Sequence, residues 1–158
     1  MRICCDLYKP AHRHYTALLA ADVRTAGATV RLATSRWQTE VESHVRAWRS
    51  DAVVESALAY LAEFRASSAA YRGSGHRIEV VALATPQVLS QFGILDRFLA
   101  EAALGSNGRY VPWENHGTCA RKMLSTVAVI EAEQWADRIT VVRRDGTVLY
   151  DNELVGVV

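Results

Sequence analysis

The sequence predicts one α/β domain: a mainly parallel sheet with helices on both faces and an antiparallel hairpin at its C-terminal end. Three observations predict it. Short apolar runs alternate with stretches of helical periodicity, the layout of strand–helix–strand units. The clearest strand, Ile78-Glu79-Val80-Val81-Ala82-Leu83-Ala84, is apolar almost throughout, as strands covered on both faces are. Asp145-Gly146, between the β-prone runs from Ile139 and from Val148, is a two-residue hairpin signal.

In chain order, Arg2-Ile3-Cys4-Cys5-Asp6 reads as a short strand ending in a carboxylate. Tyr15, Leu18, Leu19, Val23 and Ala26 then recur at helical spacing, so a helix is expected from His14 to Ala26 with Gly27 as its stop. Ala28 to Thr34 reads as a connector. Ser35 can cap a second helix whose apolar face is Trp37, Val41, Val45 and Trp48. Asp51 to Glu55 is a short apolar strand that again ends in an acid, and Leu61 to Arg72 is helical, stopped by Gly73-Ser74-Gly75. After the strand at Ile78, Pro86 suits a helix start. Val88, Leu89, Phe92, Leu95, Phe98 and Leu99 give that helix an apolar face. Leu104 to Asn115 reads as a loop around Gly105-Ser106-Asn107-Gly108-Arg109. A last helix is expected from about Gly117 to Trp135, followed by the hairpin.

The 158 residues suit one domain with its own core. A net charge of +1, with basic residues spread along the chain, gives no electrostatic case for nucleic acid or membrane. No apolar run approaches the roughly 18 residues of a membrane span, and no leader pattern is visible. Cys4, Cys5 and Cys119 form an odd set without C-x-x-C spacing, which points to free thiols and a cytoplasmic setting.

The best chemical signal is the pair of strands ending in acids, Asp6 and Glu55, which a parallel sheet would bring to one edge. One carboxylate could take a proton from a substrate hydroxyl while the other holds a sugar or amine. Each could equally cap a helix or face water. His12 and His14 could ligate a metal with Asp6, His44 or His116, but the spacing lacks a zinc pattern and surface histidines fit as well; no metal site is assigned. Cys4 and Cys5, adjacent in a strand, would point to opposite faces and fill core. Gly73-Ser74-Gly75 follows a helix and precedes a strand, the wrong order for a phosphate loop. No G-x-S-x-G elbow is present. Arg97 and Arg109 flank the glycine-rich loop, and arginine forks suit phosphate oxygens.

Six segments in order resemble the zeta toxin family, P-loop kinases of UDP-N-acetylglucosamine. Cys5 to Tyr15 is similar to the family's strand–Asp segment with its downstream His-Pro, although Arg13 follows His12 here. Val53-Val54-Glu55 is similar to its Val-Ile-Glu strand, and Val81 to Pro86 to its strand-to-helix junction. Leu95-Asp96-Arg97-Phe98, then Gly108 to Pro112 with Glu114-Asn115-His116, and the hairpin from Arg138 to Tyr150 complete the series. The resemblance implies a P-loop kinase-like sheet over residues 1–158 and ATP-dependent phosphorylation of UDP-N-acetylglucosamine, with ATP and Mg2+ as cofactors. It implies Asp6 as general base, Glu55 and Ser67 on the sugar nucleotide, and Arg97 and Arg109 on the ATP phosphates. It also implies an antitoxin partner or self-association. No G-x-x-x-x-G-K-S/T occurs in these residues. The expectation is therefore a kinase domain lacking its first strand and phosphate loop, with little or no activity as this chain. The alternative is a non-enzymatic module that keeps a sugar-nucleotide pocket or an association surface.

Overall fold

The computed structural model describes residues 1–105 and 110–154. It divides into two compact units, Met1–Ser56 with Val88–His116, and Ala57–Gln87 with Gly117–Val158. Each is mixed α/β.

The first unit is built on a two-stranded parallel sheet. Strand β1 (Arg2–Ile3) pairs with β2 (Val53–Val54), Arg2 opposite Val53 and Ile3 opposite Val54. The expected five-residue strands are thus much shorter. Ile3 is fully buried and anchors the pair. The chain does not stay extended to Asp6: Cys4 is the last extended residue, and Cys5–Tyr8 form helix α1. Cys4 and Cys5 therefore do not alternate across a strand. The Cys5 thiol donates to Gln38 Oε1 at 2.8 Å, which docks α1 on the long helix α4 (Arg31–Ala47). A 3-10 turn, Lys9–Ala11, follows with Pro10 inside it.

The helix expected from His14 to Ala26 is broken. Helix α2 spans Tyr15–Ala21 and α3 spans Ala26–Thr29. Asp22 makes the break, accepting the Arg24 N–H at 2.9 Å and the Thr25 hydroxyl at 2.8 Å. Such local bonds compete with helical ones. Tyr15, Ala26 and Val30 then pack together, with Leu18 and Leu19 against them. Gly27 lies inside α3 rather than ending a helix, and most of the expected connector is helical.

Helix α4 buries Thr34, Glu42 and Val45, while Trp48 is 72% exposed. The buried stripe is thus rotated from the expected apolar face. Polar groups occupy it because they are satisfied there. Thr34 Oγ1 donates to the Val30 carbonyl at 3.2 Å, and Glu42 accepts from Gln38 Nε2 at 2.7 Å. Helix α6 (Gln87–Ala103), mostly in this unit, has no fully buried residue, and Ile94, Leu95 and Phe98 are half-buried.

The second unit holds helix α5 (Leu61–Gly73) and a three-stranded sheet ordered β3 (Glu79–Leu83), β4 (Arg138–Val142), β5 (Val148–Glu153). Strands β3 and β4 are parallel, with Glu79 opposite Arg138 and Leu83 opposite Val142. Strands β4 and β5 form the expected antiparallel hairpin, with Gly146 at φ +85° in its turn. Helix α7 (Trp113–Ala132) starts earlier than expected, and its part from Gly117 on belongs here. Val80, Ile130, Ala136 and Ile139 form the core, with Phe64, Val127 and Trp135 packed around it. Burial along β3 alternates: Val80 and Ala82 are covered, but Val81 is 65% and Leu83 57% exposed. One face of the strand is buried, not both. Asp137 ties the unit together, accepting the Ile78 N–H at 2.6 Å and pairing with Arg72 at 3.0 Å.

Candidate functional site

The carboxyl ends of β1 and β2 bring the two predicted acids together. The last ladder bond, from the Glu55 N–H to the Ile3 carbonyl at 2.8 Å, fixes where each chain leaves the sheet. Three residues past Ile3, Asp6 sits in the first turn of α1 with its side chain half-exposed. Glu55 follows β2 directly. The two lie within electrostatic range, since the Asp6 charge acts to raise the Glu55 carboxyl. The sequence placed Asp6 at a strand end; the fold puts it one helical turn further along.

Each acid has a cationic partner. Arg2 forks onto Glu55 with Nε at 2.6 Å and a terminal nitrogen at 2.9 Å from the two carboxylate oxygens. These bonds hold the Glu55 carboxyl below its ordinary range, and a hydrogen bond with Cys4 adds to them. Lys9 reaches back along α1 to Asp6, with Nζ 2.7 Å from Oδ1. Sequence reasoning missed both cations as site residues. Lys9 stands three places after Asp6, neighbours once the segment is helical. Arg2 flanks Glu55 only once the strand register is known.

The remaining predicted residues are placed as follows. Ser67 lies on α5 in the second unit and is partly buried. Arg97 is exposed on α6. Arg109 lies outside the described residues. His12 and His14 stand with ring centroids 5.8 Å apart, and His12 is 5.9 Å from the Trp37 ring. No group of three or more His, Cys, Asp or Glu suited to a metal occurs among the described residues, so the metal reading gains no support. No helix among them is long and apolar enough to cross a membrane.

For a nucleoside triphosphate the described residues are a poor fit. A phosphate loop runs from a strand into a helix through glycines that free the backbone. The described glycines of positive φ are Gly75, Gly105 and Gly146. The first leaves a helix for a strand, the second ends a helix, and the third turns a hairpin. None is placed to cradle phosphate.

Parallel strands followed by carboxylates, between helices, define an α/β domain, a class in which ligands commonly sit beyond the carboxyl ends of the strands. Residues 1–155 match the zeta toxin family, and the chain belongs to that family. Its fold is similar to a solved structure from the PezAT chromosomal toxin-antitoxin system of the human pathogen Streptococcus pneumoniae, with a TM-score of 0.82 and 16% identity. The superposition covers 96% of this chain and 59% of that one, so the chain spans under two thirds of that structure's length. No curated protein matches the chain.

Proposed function

We propose that residues 1–158 form one zeta-toxin-like kinase domain, drawn from both units, that carries the acceptor side of a sugar-nucleotide kinase. The family reaction is ATP-dependent phosphorylation of UDP-N-acetylglucosamine in the cytoplasm. The observation that carries this reading is the Asp6–Glu55 pair at one end of β1 and β2, in a chain matched to the family over residues 1–155. Asp6 takes the proton of the acceptor hydroxyl, and Glu55 binds the sugar nucleotide; Ser67 is assigned to the same ligand by the family resemblance alone. By the family resemblance alone, Arg97 and Arg109 are assigned to the phosphates of the donor. Glu55 must release at least part of its Arg2 fork to take a ligand, which an exposed ion pair allows at little cost.

Phosphoryl transfer depends on positioning and charge neutralisation around the transferred group. With no G-x-x-x-x-G-K-S/T in these residues, the proposal is little or no phosphorylation by this chain as it stands. A second reading is a binding module that docks an antitoxin or a second copy. The exposed Val81 and Leu83 on the open face of β3 favour it.

Thermal unfolding with separate ligands tests the proposal. UDP-N-acetylglucosamine should raise the melting temperature by selective binding to the folded state, and ATP with Mg2+ should leave it unchanged. A rise with ATP and Mg2+ would remove the inactivity claim. No rise with the sugar nucleotide would remove the acceptor-site claim and leave the binding module.

A further inference from the structure

Lys9 is unusual for a surface cation. Its side chain is only 15% exposed, less than the 38% of the carboxylate it serves. Its backbone is also pinned: Lys9 ends α1, begins the 3-10 turn, and its carbonyl accepts the His12 N–H at 3.0 Å. Lys9 and Lys122 are the only lysines among the chain's 18 basic side chains. An ammonium is a compact point charge, whereas an arginine fork needs a wide planar space.

That space is set by Gly27. A Cβ built there would stand 3.1 Å from Lys9 Nζ and 3.8 Å from Lys9 Cε. Glycine is a poor residue for a helix interior, so a glycine inside α3 costs local stability relative to alanine. Its backbone does not need glycine, since its φ is not in the left-handed region. What the position uses is the missing side chain. Ala26 and Val30, packed with Tyr15, hold α3 in place, so α3 does not yield easily and the ammonium would have to move.

We propose that Lys9 and Gly27 are positioning residues for Asp6: Gly27 leaves open the space in which the Lys9 ammonium sits, and the ammonium fixes the Asp6 carboxylate beyond β1. This rests on Asp6 acting on the acceptor. A side chain at position 27 displaces the end of a flexible lysine rather than the core. It should therefore disturb the site while sparing the fold.

The test uses the lysine side-chain ammonium signals of the 15N-labelled full chain, with K9M assigning one of the two. In D6N and G27V the Lys9 signal should move, and in G27A it should move less while the melting temperature stays at or above wild type. Affinity for UDP-N-acetylglucosamine should fall about tenfold or more in K9M and G27V, the scale of one charged hydrogen bond. A Lys9 signal unmoved by D6N or by G27V would overturn the proposal. So would G27V with a displaced signal and wild-type affinity. Absence of sugar-nucleotide binding by the wild-type protein would strike the acceptor-site proposal alone. The Lys9 signal in D6N and G27V would still decide whether these residues hold Asp6.

Discussion

Replacing Asp137 separates a hydrogen bond from an ion pair in the second unit. One carboxylate oxygen accepts the Ile78 N–H at 2.6 Å and the other meets Arg72 at 3.0 Å. Asp137 is 22% and Arg72 37% exposed, so solvent screens the ion pair, which is worth at most about 1 kcal/mol. The hydrogen bond is different in kind. Its donor is a backbone amide at the mouth of β3, and a bond to a charged acceptor contributes about 1.5–3 kcal/mol. D137N keeps an acceptor for Ile78 and loses the charge; D137A loses both and leaves the amide unpaired. The expected destabilisation is about 1–2 kcal/mol for D137N, which loses the ion pair and weakens the amide bond, and about 2–4 kcal/mol for D137A. Urea unfolding followed by far-ultraviolet circular dichroism measures both, and the midpoints should shift with little change in slope. In a chain of this size D137A should lower the melting temperature by about 5–12 °C. Equal losses for the two variants, within about 0.5 kcal/mol, would refute the reasoning, because the amide bond would then carry nothing.

Three further outcomes follow from the same geometry. Gln134 ends α7 at φ 55°, a conformation that costs a side chain about 1–2 kcal/mol, so Q134G should stabilise the protein by about 1 kcal/mol in urea titration. Asp22, Glu55, Glu131, Glu133, Asp145 and Asp151 all have carboxyls held below their ordinary range by hydrogen bonds to the folded chain. Their stabilisation is complete above the ordinary carboxylate values and is lost as pH falls through the lowered folded values. The urea midpoint should thus be flat near neutrality and drop below about pH 4; a rise on acidification would contradict this. Burial pushes the Cys5 thiol up, so alkylation at Cys5 should run well behind that of free glutathione at pH 8 when followed by mass spectrometry.

Much of the second unit was legible because its signals are local and redundant. Asp145-Gly146 set the hairpin, the run from Ile78 set β3, and Gly73-Ser74-Gly75 closed α5, where Gly75 takes φ +79°. The first unit was harder. Its buried stripe on α4 runs through Thr34 and Glu42, which periodicity of apolar residues cannot see. Asp22 broke an expected helix with its own side chain. The stretch from Cys4 to Asp6 looked like a strand because its cysteines are apolar, yet Cys5 is used to hydrogen-bond Gln38 and start a helix. The nearness of Asp6 and Glu55 was legible in part: parallel pairing sets the ends of β1 and β2 side by side, while the helical turn that carries Asp6 was not foreseen. Lys9 and Arg2 were not, because each is recruited by the turn or register that the chain adopts locally.

Titration calorimetry of UDP-N-acetylglucosamine into the wild-type chain, Asp6→Asn and Glu55→Gln tests the central claim most directly. Binding by the wild type at about micromolar to millimolar Kd, weakened about tenfold or more in each variant, is the predicted result. No binding by the wild type, or equal affinity in all three proteins, would contradict an acceptor site built on these two carboxylates.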